Sequence, residues 1–248
     1  MAGHSKWANI KHRKAKVDAA KGVSFAKFSR EIIISSKIGG PDPAGNFRLK
    51  TAIERARAGG LPNDTIKRAI EKGSSSGASE NYEEITYEGY GPGGVAVFIE
   101  AATDNKNRTA GDIRSYFTKY GGNLGESGCV GWMFEPNGVL TFGKDSVDFE
   151  KLYELSAEFD AKDVVEEEDE YKVITTVENF QKAVEGFGGA SLAPKSAELT
   201  RIPQNSVEMT DETAAKKLLA LLEKIEEHDD VQNVYSNFEI DDSVMEKL

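Results

Sequence analysis

The chain has 248 residues, 39% hydrophobic and 29% charged, with a formal net charge of -11 at pH 7. That length favours two or three domains over one core, and the composition is that of a globular chain, excluding disordered and fibrous classes. No apolar run approaches the about 20 residues that span a bilayer, and a single cysteine, Cys129, excludes an internal disulfide framework and fits a cytoplasmic setting.

The net charge conceals a split. Residues 1–72 hold 16 Lys and Arg against 6 Asp and Glu, whereas residues 73–248 hold 15 against 36. A basic segment ahead of an acidic body points to a polyanion contact confined to one part of the chain.

The opening stretch, Met1 to Arg30, carries Lys6, Lys11, Arg13, Lys14, Lys16, Lys21, Lys27 and Arg30 against one acid, Asp18. It lacks the apolar core of a secretory signal. Trp7, Ile10 and Val17 are only weakly helical in spacing, which leaves an extended arm or a helix formed on contact. From Asp18 the pattern firms: Phe25, Phe28, Ile32 and Ile33 share a helical face, and Gly39-Gly40-Pro41 terminates it. A second helix starts between Asp42 and Asn46, buries Leu49, Ala52, Ile53 and Ala56, and turns Arg48, Lys50, Arg55 and Arg57 outward. A third follows Pro62-Asn63-Asp64 and ends at Gly73, before a Ser/Gly linker to Ser79.

Beyond the linker the period becomes 2. Glu84–Tyr90 and Gly94–Ala102 read as a hairpin about Gly91-Pro92-Gly93. Thr109 and Asp112 suggest a capping box for a helix to Tyr120, and Cys129–Phe134 is expected as a strand. Residues 138–203 give a βαββαβ order. The tail adds a strand at 206–209, a helix over 211–227 and a strand at 231–238. The outer pieces 94–134 and 206–238 repeat the βαββαβ order. The expected class is therefore α+β: a basic N-terminal helical domain followed by two ferredoxin-like (split βαβ) α/β domains, one inserted in the other. The expected divisions are 1–79, 80–136 with 204–248, and 137–203.

Lysine runs are most often solvated faces, but ordinary surfaces interleave both signs, and this one does not. Lys and Arg neutralise phosphates and release counterions, so nucleic acid is the favoured partner. The candidate contacts are Lys6, Trp7, Lys11, His12, Arg13, Lys14, Lys16, Lys21, Arg48, Lys50, Arg55 and Arg57. Trp7 suits either base stacking or anchoring of the arm. Lys106, Arg108 and Arg114, around a helix start, form a secondary phosphate candidate that intramolecular salt bridges explain nearly as well.

Catalytic signals do not assemble. Gly89–Gly94 lacks the Lys-Ser and following helix of a phosphate loop. Gly121–Gly128 reads as a flexible connection without a nucleophile frame. Glu166–Glu170 reads as a solvated hairpin, and Cys129 as packing. His4 and His12 lack partners at metal-ligand spacing. The reading is a non-enzyme with no metal, no cofactor, no small-molecule substrate and no membrane contact.

Several stretches resemble the YebC-type family: AGHSKWANIKHRKAKVDAAKG, GGPDPAGNFRLKTAIERARAGGLPNDTIKRAIEKG, YEGYGPGGVAVFIEAATDNKNRTAGDIRSYFTKYGGNLGESGCVGWMF and KSAELTRIPQNSVEM. The resemblance covers essentially the whole chain, with Cys129 where a small residue is common. It implies three domains, no cofactor and nucleic-acid-linked regulation; members are described as probable transcriptional regulatory proteins, and mitochondrial relatives as translational activators of cytochrome c oxidase subunit I. Three functions follow as expectations. One is a DNA-binding transcriptional regulator. The second is a translation factor on the ribosome, binding ribosomal or transfer RNA. The third is a protein-interaction module without nucleic-acid contact.

Overall fold

A computed structural model describes residues 17–75, 82–240 and 244, with side chains from Phe25 onward. These residues form two compact units: one runs to Met133 and resumes at Asn205, the other is Phe134–Gln204. No helix among the described residues is long and apolar enough to cross a membrane.

The first unit opens with α1 (Val17–Gly39), α2 (Phe47–Ala58) and α3 (Asn63–Ser74). Ile32, Ile33, Leu49, Ala52, Ile53, Ala56, Leu61, Ile66 and Ala69 form their common core, with Phe25 and Phe28 packed against it. Asn46 starts α2 from within: its Oδ1 accepts from Leu49 N, and its Nδ2 donates to the carbonyls of Ser35 and Gly40. One buried amide thus caps α2 and ties it to the end of α1. At Gly73, a Cβ would lie 2.3 Å from the Ile33 carbonyl, so α1 and α3 approach as only glycine allows.

A four-stranded antiparallel sheet follows, in the order β3 (Asn123–Leu124), β1 (Glu83–Tyr90), β2 (Ala96–Thr103), β9 (Val231–Ser236). Alternation sends Ile85, Tyr87, Val97, Ile99 and Ala101 to one face. There they meet Ile113 and Phe117 of α4 (Lys106–Tyr120) and Leu218, Leu222 and Ile225 of α7 (Glu212–Glu226). β8 (Val207–Met209) and β10 (Phe238–Ile240) pair in parallel as a separate ribbon.

The second unit is β4 (Phe134–Gly143), α5 (Phe149–Glu158), β5 (Asp163–Glu166), β6 (Glu170–Thr175), α6 (Val177–Gly189) and β7 (Ser196–Pro203). Its strands lie in the order β5-β6-β4-β7, all antiparallel, which is the split βαβ arrangement. Phe142 and Phe187, with ring centroids 4.9 Å apart, sit in its buried interior with Leu140, Leu152, Val173 and Phe180.

The α+β class holds, with corrections in the outer layer. Strand β1 takes the inner position beside β2, whereas 206–209 leaves the sheet to pair with β10. The 231–238 strand breaks at buried Asn237, whose Oδ1 accepts from Ala96 N and whose Nδ2 donates to Asn205. Of Cys129–Phe134 only Phe134 is strand, as the start of β4; residues 129–133 form a tight loop. Its backbone wraps the buried Glu88 carboxylate, which accepts from the N–H groups of Gly128, Val130 and Gly131 at 2.8, 2.8 and 2.6 Å. Thr109 does not cap α4. Asn105 does so, accepting from Arg108 N, while Thr109 lies fully buried one turn later.

Candidate nucleic-acid interface

The expected contacts Lys6, Trp7, Lys11, His12, Arg13, Lys14 and Lys16 lie outside the described residues, and Lys21 is described by its helical backbone alone. Apart from Lys37 and Lys72, near the ends of α1 and α3, the cations from Phe25 to Ser75 fall into two sets.

The first set faces the α/β layer of the same unit. Lys27 donates to the Glu226 carbonyl. Arg30 donates to the Asp229 carbonyl and pairs with the Asp230 carboxylate at 3.3 Å. Arg48 is clamped between two acids, with Nε 2.8 Å from Glu31 Oε1 and Nη2 2.6 Å from Glu84 Oε1. Burial disfavours its charge, but the hydrogen bonds and charges of Glu84 and Glu31 outweigh that and hold the guanidinium strongly protonated. Arg48, expected as an outward contact, is thus occupied in joining the bundle to β1.

Asp230 is the centre of this junction. It is 3% exposed, and its Oδ2 accepts from Thr109 Oγ1 at 2.6 Å, Arg108 Nη2 at 2.9 Å and Thr103 Oγ1 at 3.0 Å. Burial alone would raise its pKa; the hydroxyls, Arg108 and the charge of Arg30 reverse this and hold it below the ordinary carboxylate value. The Asp230 amide donates to His228 Nδ1, which leaves the ring proton on Nε2, facing Asp112 at 3.3 Å. The secondary phosphate candidate is drawn into the same network. Arg108 is held by Asp230 and Asp104, and Lys106 by Glu83, whereas Arg114 is exposed on α4.

The second set is exposed on the sides of α2 and α3 away from their core: Lys50, Arg55, Arg57, Lys67 and Arg68. On α2 the buried positions 49, 52, 53 and 56 put Lys50 and Arg57 on the opposite side, with Glu54 between them as the helix's single acid. Arg57 Nε lies 3.4 Å from Asn63 Oδ1, so it reaches across the turn to the start of α3. Arg68 turns back along α3 to Thr65 and the Asp64 carbonyl. Lys67 and Arg68 are additions to the expected contacts, although the same helical alternation that exposes Lys50 exposes them. Asp230 has no local signal in sequence, because its partners come from residues 30, 103, 108 and 109.

Among the described residues no group of three or more His, Cys, Asp or Glu is placed to hold a metal ion. Cys129 is half-buried, and burial with the nearby Glu88 charge pushes its thiol pKa up, away from a reactive thiolate.

Two family models match this chain: the TACO1/YebC protein N-terminal domain over residues 5–76, and the TACO1/YebC second and third domain over residues 82–238. A probable transcriptional regulatory protein of Natranaerobius thermophilus is 51% identical over 99% of both chains. One of Geobacter sulfurreducens is 50% identical over the whole of both. The crystal structure of a conserved hypothetical protein from Aquifex aeolicus is similar with a TM-score of 0.85 and 45% identity, covering 96% of this chain and 98% of that one.

Proposed function

This chain belongs to the TACO1/YebC family, and from that premise we propose that it is a nucleic-acid-binding regulator of gene expression, a DNA-binding transcriptional regulator whose contact surface is the outer side of the helical bundle. The observation that carries this reading is the exposed cation set Lys50, Arg55, Arg57, Lys67 and Arg68, kept apart from the cations that bind the α/β layer. Helices α2 and α3 are joined by four residues, Gly59–Pro62, with Gly60 at a φ of 83°. That connection has the length of a helix-turn-helix, in which the start of the second helix faces base edges. Asn63 and Lys67 would be the base-edge readers, and Lys50 and Arg57 the phosphate contacts. Lys6, Lys11, Arg13, Lys14 and Lys16 of the opening stretch are further phosphate contacts in this proposal. The division into 1–79, 80–136 with 204–248, and 137–203 belongs to it too.

The test is binding of the full chain to duplex DNA, random and promoter-derived, and to single-stranded RNA of equal length, across a salt series. Lys50→Ala with Lys67→Ala should lower the salt slope on duplex DNA by about 0.9 for each phosphate no longer neutralised. Random and promoter DNA bound equally at physiological salt would remove sequence-specific regulation. Preference for the RNA would transfer the same surface to a translation role.

A further inference from the structure

The inserted unit carries a surface that the nucleic-acid reading leaves unused. Residues 144–171 hold twelve Asp and Glu against three Lys, whereas the rest of the unit, 134–143 and 172–204, holds four of each sign. Its charge excess is thus gathered into the stretch that carries α5 and the turn of the β5–β6 hairpin. Within this stretch three aromatic rings are collected. Phe149 and Tyr153 lie one turn apart on α5, with ring centroids 6.1 Å apart, and Phe149 packs on Tyr171 at 5.2 Å. Phe149 is 40% exposed and Tyr153 59% exposed.

The rim is acidic. Asp148 caps α5, Glu150 and Glu154 are exposed on the same helix, and Glu166 sits opposite Tyr171 across the hairpin. Lys144 Nζ lies 5.3 Å from the centroid of the Tyr171 ring while bonded to Glu166. That pair displays, within one chain, the chemistry the patch offers: a cation over an aromatic ring with a carboxylate beside it.

We infer that the Phe149–Tyr153–Tyr171 face of the inserted unit is a docking surface for an arginine-rich, extended protein segment. Charge complementarity sets the sign of the partner, and the like-charge field repels nucleic acid. The exposed rings decide between cations: guanidinium is planar, weakly hydrated and stacks on aromatic faces, whereas ammonium is compact and strongly hydrated. An arginine-rich segment stacks on Phe149 and Tyr153 while its remaining guanidinium hydrogens reach Glu150 and Glu154.

The test uses the full chain and two synthetic peptides of equal length and charge, one alternating Arg and Gly, the other Lys and Gly, followed by fluorescence anisotropy. The Arg peptide should bind more tightly than the Lys peptide. Phe149→Ala with Tyr153→Ala should weaken it by about tenfold, and Glu150→Gln with Glu154→Gln should reduce both affinity and its salt dependence. An unchanged thermal melt confirms that each variant is folded, and Tyr153→Ser serves as a milder second variant if Phe149→Ala is not. Equal binding by wild type and the aromatic variants, or equal affinity for both peptides, overturns the inference. So does a wild-type dimer that the same substitutions convert to monomer, since the patch would then serve a second copy of the chain.

Discussion

The helical bundle and the inserted layer carry opposite charge, but they also differ in where it is placed. In the unit containing the bundle, charges of both signs are matched within the unit, buried at Asp230 and Glu88 and half-exposed at Arg48 and Arg108: Arg30 and Arg108 meet Asp230, Arg48 meets Glu31 and Glu84, and Glu88 meets three backbone N–H groups. Cations beyond that need remain exposed on α2 and α3. In the insert, the acids of residues 144–171 outnumber every available cation, and most of them are exposed. Charge inside a unit fixes how its parts join; unmatched charge outside it selects a partner. The contrast predicts that inward charges govern stability and outward ones govern binding.

Removing Asp230 breaks the inward side most severely. Asp230→Ala removes the acceptor shared by two buried hydroxyls and two guanidinium groups, and should destabilise the chain by about 3 kcal/mol, read by urea unfolding. The pH dependence carries a sign. Because the folded pKa lies below 3.8, the carboxylate's contribution is complete above its unfolded pKa and is lost as pH falls through the folded one. The gap between wild type and Asp230→Ala should therefore be constant near pH 7 and narrow below about pH 4. A gap that persists in acid would mean the carboxylate's charge is not what matters. Glu88→Ala is the next in size, about 2 kcal/mol, because the Gly128, Val130 and Gly131 amides lose their acceptor. Hydrogen exchange at those three amides should accelerate first.

How much of this was legible from residues alone follows the range of each interaction. Helices α1, α2 and α3 and the order of the inserted unit rest on periodicity and glycine or proline stops, which neighbours in sequence supply. Thr109 misled because a Thr three residues before an acid imitates a capping box, whereas Asn105 holds the position and Thr109 faces Asp230, 121 residues away. Cys129–Phe134 reads as a strand because it is a short apolar run; the Glu88 carboxylate, some forty residues earlier, takes the backbone donors of Gly128, Val130 and Gly131. The candidate interface divided the same way. Helical spacing exposed Lys50, Arg55 and Arg57, but only the folded chain shows Arg48 turned between Glu31 and Glu84.

Reversing outward charge tests the other side of the contrast. Lys50→Glu with Lys67→Glu should weaken duplex binding by about tenfold, roughly 1.4 kcal/mol, at low salt. The thermal melt should barely move, since both lysines are exposed. Lys151→Glu with Lys195→Glu on the insert, the same change in net charge, is the matched control and should leave nucleic-acid binding unchanged. If that pair weakens binding as much, the field of the whole chain acts rather than the bundle's surface.

The smallest effect separates the two uses of charge within one residue. Glu150 and Glu154 stand one turn apart on α5 as like charges, a pairing that costs an exposed helix a few tenths of a kcal/mol. Glu154→Lys converts it into a favourable Glu-to-Lys pair in the better orientation and places a cation nearer the helix C-terminus, so the melt should rise, by about 0.5 kcal/mol of stability. The same substitution should weaken the arginine-rich peptide by removing one rim carboxylate. A chain that gains stability and loses affinity through one exposed side chain holds that acid for a partner rather than for its fold. Stability that falls with Glu154→Lys would instead place the acid in the insert's own packing, and the contrast between inward and outward charge would fail at the point where it is most exposed.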